Sequence, residues 1–330
     1  MMHRLTTTLF VLLFFLAVDT PAIFAQSSGD TVYRFLNLTS SSRAAAMGGS
    51  HVALPNADAS MFLINPAYIS KNTHRNFSLN YLNHIGDINM GFAGGAWHLD
   101  DIGTIGAGIR FINYGDMNEI DDLGNTLGSL SANDLAFTVG LSREVAPNLY
   151  FGGATSLIYS SIGTYASTAL GFNFGLLYYA EAIETHFGAT IQNTGFQLSQ
   201  FDNTREDLPL DIRIGASRSL QYLPIRLSIM LHSLDKWDMP TLSDESAPSF
   251  TDNLFRHLIF GAELSFSENV HARVGYDHFL HEELKVRNRL DGAGFSFGLG
   301  IRYKGFVFDI SRNSYSELGG LTRFGIQTFL

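Results

Sequence analysis

Three histidines, His271, His278 and His281, lie close together in the chain and run directly into Glu282 and Glu283. Imidazole and carboxylate are the side chains that hold zinc, so a metal centre is the first chemistry to weigh. The spacing matches neither a helical nor a tight-turn ligand set, and polar loop rims collect such residues without binding metal, so no metal site is expected. "GAGFSFGLG" (292–300) repeats glycine, but dinucleotide binding needs a strand-to-helix turn, and these residues read as one strand. No G-x-S-x-G elbow occurs, and with no Cys there is neither a thiolate ligand nor a cysteine nucleophile. Ser, His and Asp are present without a spacing that assembles them. The reading is a non-enzyme without a cofactor.

Other residues suit contact rather than catalysis. "NYGDMNEIDDLGN" (113–125) carries Asp116, Glu119, Asp121 and Asp122 with no Lys or Arg, and "LDKWDMP" places Trp237 on a polar loop. A loop Trp serves as an interface anchor or as a girdle residue at a membrane boundary, and both uses stay open. A net charge of -10 without a long basic run excludes nucleic acid as a partner.

The elements that position these residues alternate with period two. In "GFSFGLGIRY", Phe295, Phe297, Leu299, Ile301 and Tyr303 leave one face, and Ser296, Gly298, Gly300 and Arg302 the other. "PIRLSIMLH" and "LIFGAELSF" repeat the pattern. Charged residues make up 16% of the chain, below the roughly 25% of a soluble domain, which suits strands that present apolar side chains outward. Fourteen such segments begin near Phe77, Ile88, Ile102, Asn133, Asn148, Thr168, Thr185, Pro209, Leu223, Leu254, Asn269, Ala293, Gly305 and Gly320. The links between them alternate. Tight ones fall at 100–101, 146–147, 181, 221–222, 268 and 304, with longer ones at 115–132, 161–167, 195–208, 235–253 and 281–292. A secreted β-sandwich also alternates, but it does not require tight turns and long loops to take turns. The pattern predicts an all-β fold, a 14-stranded antiparallel transmembrane β-barrel with a small N-terminal helical plug or hatch segment.

Arg4, the apolar run Leu9–Val18 and "AIFAQ" read as a cleaved signal peptide, 1–25; the plug segment is 26–75 and the barrel 76–330. The chain stops at Leu330 inside its last strand, which a closed barrel permits because that strand pairs with the first. On it, Phe324, Ile326, Thr328 and Leu330 are expected to meet outer-membrane lipid, with Arg323 and Gln327 inward. The other charges expected to face the lumen are Arg110, Arg213, Arg226, Glu263, Arg273, Arg302 and Asp309. Fourteen strands leave a bore, which these residues either line as a conducting channel or close by pairing with one another and with the plug; the cost of burying unpaired charge favours the second. In the plug, Ser41 and Ser42 are placed to cap a short helix stopped by Gly48 and Gly49, and Asp58 a second one closed by Pro66.

"YRFLNLTSSSRAAAMGG", "INPAYIS", "NYGDMNEIDDLGN", "SANDLAFTVGLSRE", "PLDIRIGASRSL" and "PIRLSIMLHSLDKWDMP", in this order, resemble the PorQ branch of the PorV/PorQ family, outer-membrane proteins of the type IX secretion system. The triplet Asn65-Pro66-Ala67 also resembles the hatch of FadL-type fatty-acid transporters. The resemblance implies a non-catalytic secretion component in the outer membrane, with both termini on the periplasmic side. Its loops would dock a PorZ-like surface protein near a sortase-like peptidase complex. The FadL likeness implies the alternative, an outer-membrane transporter of hydrophobic small molecules.

Overall fold

The computed structural model describes residues 33–83, 88–120, 126–201, 205–241, 244, 247–285, 292–315 and 319–330. Fourteen strands follow one another around a closed antiparallel barrel. They are β1 (Asn76–Asn83), β2 (Asn89–Leu99), β3 (Gly103–Ile120), β4 (Thr126–Ala146), β5 (Leu149–Ile162), β6 (Tyr165–Ala180), β7 (Thr185–Ser199), β8 (Asp211–Ser219), β9 (Ile225–Leu231), β10 (Leu258–Ser267), β11 (Val270–Asp277), β12 (Phe295–Tyr303), β13 (Phe306–Ser314) and β14 (Gly320–Phe329). The predicted architecture is the observed one. β14 pairs with β1 from Asn76 opposite Phe329 to Asn83 opposite Thr322, so the strand in which the chain stops has both neighbours and no edge is left open.

Alternation decides which face each residue takes. On β4, Leu135, Phe137, Val139 and Leu141 are exposed on the outer wall, while Ala136, Thr138 and Ser142 are buried. Every strand contributes such outward apolar side chains, among them Leu79, Phe187, Ile229, Phe260, Val274, Phe308 and Phe324. A soluble protein does not expose a continuous belt of this kind, and on a closed barrel it is the surface that meets lipid. Among the described residues no helix is long and apolar enough to cross a membrane.

Two links differ from expectation. The acidic stretch read as a loop over 115–132 continues the ladder: β3 and β4 pair from Thr104 opposite Ser142 up to Ile120 opposite Thr126. Pairing with β2 stops at Asn113 and pairing with β5 at Ala132, so the hairpin stands beyond its neighbours by roughly 20 Å at the usual strand rise. Outside lipid neither face of a strand has to be apolar, which is why alternation fails there. The link expected at 161–167 is a tight turn, because β5 and β6 stay paired to Ile162 opposite Tyr165, with Gly163 at φ 57°. Among the links named in the sequence, only these two depart from the alternation of tight turns and longer loops.

Residues 33–75 fill the bore. Ser41 accepts from the Ala44 N–H (3.3 Å) and caps helix α1 (Ser42–Ala46); Gly48, at φ 101°, turns the chain out of it. Asp58 caps a 3-10 turn over Ala59–Leu63 by accepting from the Ser60 N–H. Pro66 does more than close that turn: it opens the next one, Pro66–Tyr68, with Asn65 Oδ1 accepting from the Ala67 N–H at 2.9 Å.

Candidate functional site

The plug crosses the whole lumen. Tyr33, Phe35 and Leu36 pack with Leu82, Met90, Ile112, Ile158, Leu208 and Leu321 at the long-loop end. Lower down, His51 lies 2.8 Å from the Met47 carbonyl through Nε2 and 2.7 Å from Ser228 Oγ through Nδ1, and Tyr68 donates to the His51 carbonyl at 2.7 Å. At the tight-turn end the Leu330 N–H donates to the Arg75 carbonyl at 3.0 Å. The first described residue, Tyr33, thus lies at the opposite end of the barrel from Leu330. The expectation that both termini face one side concerns residues before Tyr33, which lie outside the described ones.

The wall is cut to receive this segment. A Cβ on Gly152 would overlap the Pro66 backbone, and one on Gly275 the backbone of Met47 and Gly48. Asn65 donates from Nδ2 to the Val52 carbonyl inside the plug (2.8 Å) and to the Leu176 carbonyl on β6 (3.0 Å). One side chain of the NPA triplet therefore ties plug to wall, while Pro66 fits the space left by a missing wall side chain.

Four of the lumen charges, Glu263, Arg226, Arg273 and Asp309, form one cluster. Glu263 on β10 receives Arg273 Nε (2.7 Å) from β11, Arg226 Nη1 (2.8 Å) from β9, and Arg43 through Nε and Nη2 (both 3.0 Å) from the plug. Arg273 also meets Asp309 on β13 at 2.5 Å. Arg43 donates further to the carbonyls of Pro55 (3.0 Å) and Asn56 (2.7 Å). One wall carboxylate thus fastens the plug through the Arg43 guanidinium while two wall guanidiniums share it, hydrogen bonds that offset the loss of water. Arg213 pairs with Asp211 at 2.5 Å on its own strand. Arg110 donates to the carbonyls of Leu36 (3.1 Å) and Leu38 (3.3 Å) and lies 5.3 Å from the Phe35 ring centroid. Arg323 donates to Asn313 Oδ1. Arg302 shares the inward register but stands exposed at the tight-turn mouth, outside the cluster. Sequence reading missed Arg43, although a lone cation inside a run of small plug residues is a signal for a buried partner.

At the other rim, helix α2 (Phe250–Arg256) starts at a capping box of Ser249 and Asp252. Arg256 clamps Asp244 with two bonds of 2.7 Å and 2.8 Å and holds its carboxyl well below the usual carboxylate range. The clamp orders the loop that presents Trp237, whose ring lies 5.0 Å from Phe250 and 5.1 Å from His257 and is 42% exposed. Asp116 and Glu119 lie on the projecting part of β3, opposite Ser131 and Gly128; Asp121 and Asp122 lie outside the described residues. Trp237 and the acidic hairpin occupy the same end of the barrel on separate elements. His278 and His281 belong to helix α3 (His278–Leu284) at this rim, whereas His271 sits near the tight-turn end of β11 beside Ser265 Oγ at 3.0 Å. The three histidines are not brought together, and no group of three or more His, Asp or Glu among the described residues is placed to hold a metal ion.

No family model and no curated relative matches the chain by sequence. Solved structures do match by fold. The toluene transporter TbuX of Ralstonia pickettii superposes with a TM-score of 0.56 over 89% of this chain and 99% of its own, at 15% identity. The toluene transporter TodX of Pseudomonas putida gives 0.50 over 86% and 94%, at 12% identity. A deltaS2 mutant described as the TodX monoaromatic hydrocarbon channel gives 0.52 over 86% and 95%, at 14% identity. At these identities the likeness establishes the fold.

Proposed function

We propose that this chain is a non-catalytic outer-membrane barrel that works at its long-loop rim, holding a surface protein as a component of the type IX secretion system. The observation that carries this reading is the filled lumen: the plug spans it from Tyr33 to Arg75 and its Arg43 is ion-paired to Glu263 on β10, which in turn holds Arg226 and Arg273 of the neighbouring strands. A bore closed in this way leaves the rim as the working surface. There the projecting β3–β4 hairpin and the Trp237–Phe250 pair offer an acidic and an aromatic contact. The sequence resemblance supplies the partner class, a PorZ-like surface protein near the peptidase complex. In this reading the long loops face outward, the C-terminus faces the periplasm, and lipid covers the apolar belt. The test is a mild-detergent pull-down of the tagged wild type and of Trp237→Ala from outer membranes, beside a deletion strain. Wild type should recover a large surface protein and the variant much less, with cargo held in the periplasm of the deletion strain. Normal secretion without the protein would sink the reading.

A second reading, transport of hydrophobic small molecules in the FadL manner, rests on the fold shared with toluene transporters over nearly the full length of each chain. The structural neighbours favour it over docking. It requires the plug to shift, since the contacts above close the bore. Its measurement is uptake of toluene or a long-chain fatty acid by cells with and without the protein; equal uptake would remove it.

A further inference from the structure

The lipid-facing wall is uneven. Across β8 to β11 its outer face carries a groove of about 480 Å³. Ala216 and Ala262 form the floor, and Leu227, Phe260 and Val274, exposed beside them, form the sides. The two alanines stand in register rows otherwise filled by larger side chains: Ala262 lies between Leu227 and Val274, and Ala216 beside Ile229. Leu227 and Val274 are two strand spacings apart, roughly 10 Å, which leaves a trough for a single hydrocarbon chain above Ala262. Behind the groove the plug closes the wall, with Ser217 Oγ donating to the Ala53 carbonyl (2.6 Å) and Ser228 Oγ 2.7 Å from His51 Nδ1.

One end of the groove is cationic. Arg218 lines it, exposed on the outward face opposite Leu227 and Thr185, one residue before β8 ends at its tight turn. At the other end the rings of Tyr276 and Phe295, 4.8 Å apart, stand at the long-loop ends of β11 and β12. The row from Arg218 through Leu227 and Ala262 to Val274 climbs as it crosses the tilted strands: Arg218 is one residue from the tight-turn end of its strand, Val274 four. With a tilt of about 40° and strands about 4.8 Å apart, the path from Arg218 to Tyr276 rises roughly 14 Å, about half of the ~30 Å hydrocarbon core. That is the depth of one leaflet. We propose that the groove holds one glycerophospholipid of the leaflet at the tight-turn end, its phosphate on the Arg218 guanidinium and one acyl chain lying over Ala262 towards Tyr276.

Guanidinium and phosphate match in charge and in planar, two-donor geometry. A cation that only snorkels to the membrane boundary needs no trough beside it, and a groove for free hydrocarbon or a second barrel needs no cation at its mouth. The two together select an amphiphile with an anionic head. The wall is also low here: β9, with seven residues, is the shortest of the fourteen strands. At that tilt it spans about 18 Å of an apolar band about 25 Å tall, so fluid lipid beside it is mismatched and a held lipid covers the step. The inference rests on the barrel lying in a membrane and holds under either reading of function.

The test uses the full chain, stripped of lipid in dodecyl maltoside, titrated with palmitoyl-oleoyl phosphatidylglycerol and followed by native mass spectrometry. One lipid should bind at a concentration well below the rest, and inorganic phosphate should not displace it. Arg218→Gln should raise the half-saturating concentration for that lipid about tenfold, the scale of one hydrogen bond to a charged group. Ala262→Phe, which fills the trough and keeps the cation, should abolish the first step. Ala107→Phe, on the outward face of β3 opposite Val139, should leave it unchanged. All three side chains lie on the outer face, where a change leaves the plug and its contacts intact. Graded uptake without a distinct first lipid, the same first step in wild type and Ala262→Phe, or a lipid-free dimer that Ala262→Phe converts to monomer would overturn the proposal.

Discussion

Replacing Glu263 by Gln removes the carboxylate that Arg43, Arg226 and Arg273 share while nearly preserving volume. In the wild type three cations face two anions, Glu263 and Asp309, a local net charge of +1; in the variant they face Asp309 alone, a net charge of +2. The side chains of Arg43 and Arg273 are 7% and 3% exposed, so water cannot take the place of the lost partner; Arg226, at 21%, is better screened and contributes less. Breaking a buried ion pair by removing one member costs about 3–5 kcal/mol. At about 2 °C per kcal/mol, the lower end of the scaling for long chains, the midpoint should fall by roughly 6–10 °C. The assay is thermal unfolding of the detergent-solubilised protein by circular dichroism, paired with planar-bilayer recording. A loosened plug should appear as openings that are rarer in the wild type. Arg43→Met should cost less than Glu263→Gln, because Glu263 keeps two partners. The double variant should cost less than the sum, since the two residues share one interaction. A midpoint within about 2 °C of wild type for Glu263→Gln, against the fall expected from a buried-pair penalty, would refute the claim that this carboxylate fastens the plug.

Gly152→Ala should destabilise the protein by about 1–3 kcal/mol, because its Cβ would overlap the Pro66 backbone, whereas Gly153→Ala, with Phe174 3.8 Å away as nearest neighbour, should be near neutral; equal midpoints for the two would remove the proposed seat of the plug. Burial pushes the His232 imidazole down to about 4 in the loop after β9. The opened loop, titrating near the ordinary value of 6.5, then binds more protons, so its order is complete above about pH 6.5 and lost as pH falls towards 4, by on the order of 2–3 kcal/mol. Proteolysis within 232–257 should accelerate over that window and do so less in His232→Gln; a flat wild-type profile would contradict the reasoning. Asp244→Asn removes the carboxylate from the Arg256 clamp and should weaken the order of the Trp237 loop by about 1 kcal/mol, read as faster amide exchange around Trp237 at an unchanged unfolding midpoint. Unaltered exchange would show that the clamp does not order that loop.

The strands were legible because lipid imposes a two-residue period on every segment that touches it, so Phe295 through Tyr303 declare their faces without any partner in view. The caps at Ser41 and Asp58 were legible for a local reason: side chain and backbone N–H lie within one turn. Where lipid ends, the signal ends. The hairpin around Asp116 and Glu119 and the turn at Gly163 were read as loops because polar strands outside the bilayer carry no apolar alternation, although their backbones remain paired.

The sequence by itself determined that a barrel of fourteen strands must close on its last one, and that its inward positions carry more charge than a dry core tolerates. It did not determine how those charges are met. Arg43 and Glu263 stand 220 positions apart, and nothing local to either selects the other. Only the folded chain decided that a plug arginine completes a wall carboxylate, that Pro66 seats against Gly152, and that His271 parts from His278 and His281. The physical reason is the range of the interactions: alternation and capping act along the chain, within a turn or two, whereas buried charge is satisfied across the lumen by whatever closure of the barrel brings within about 3 Å.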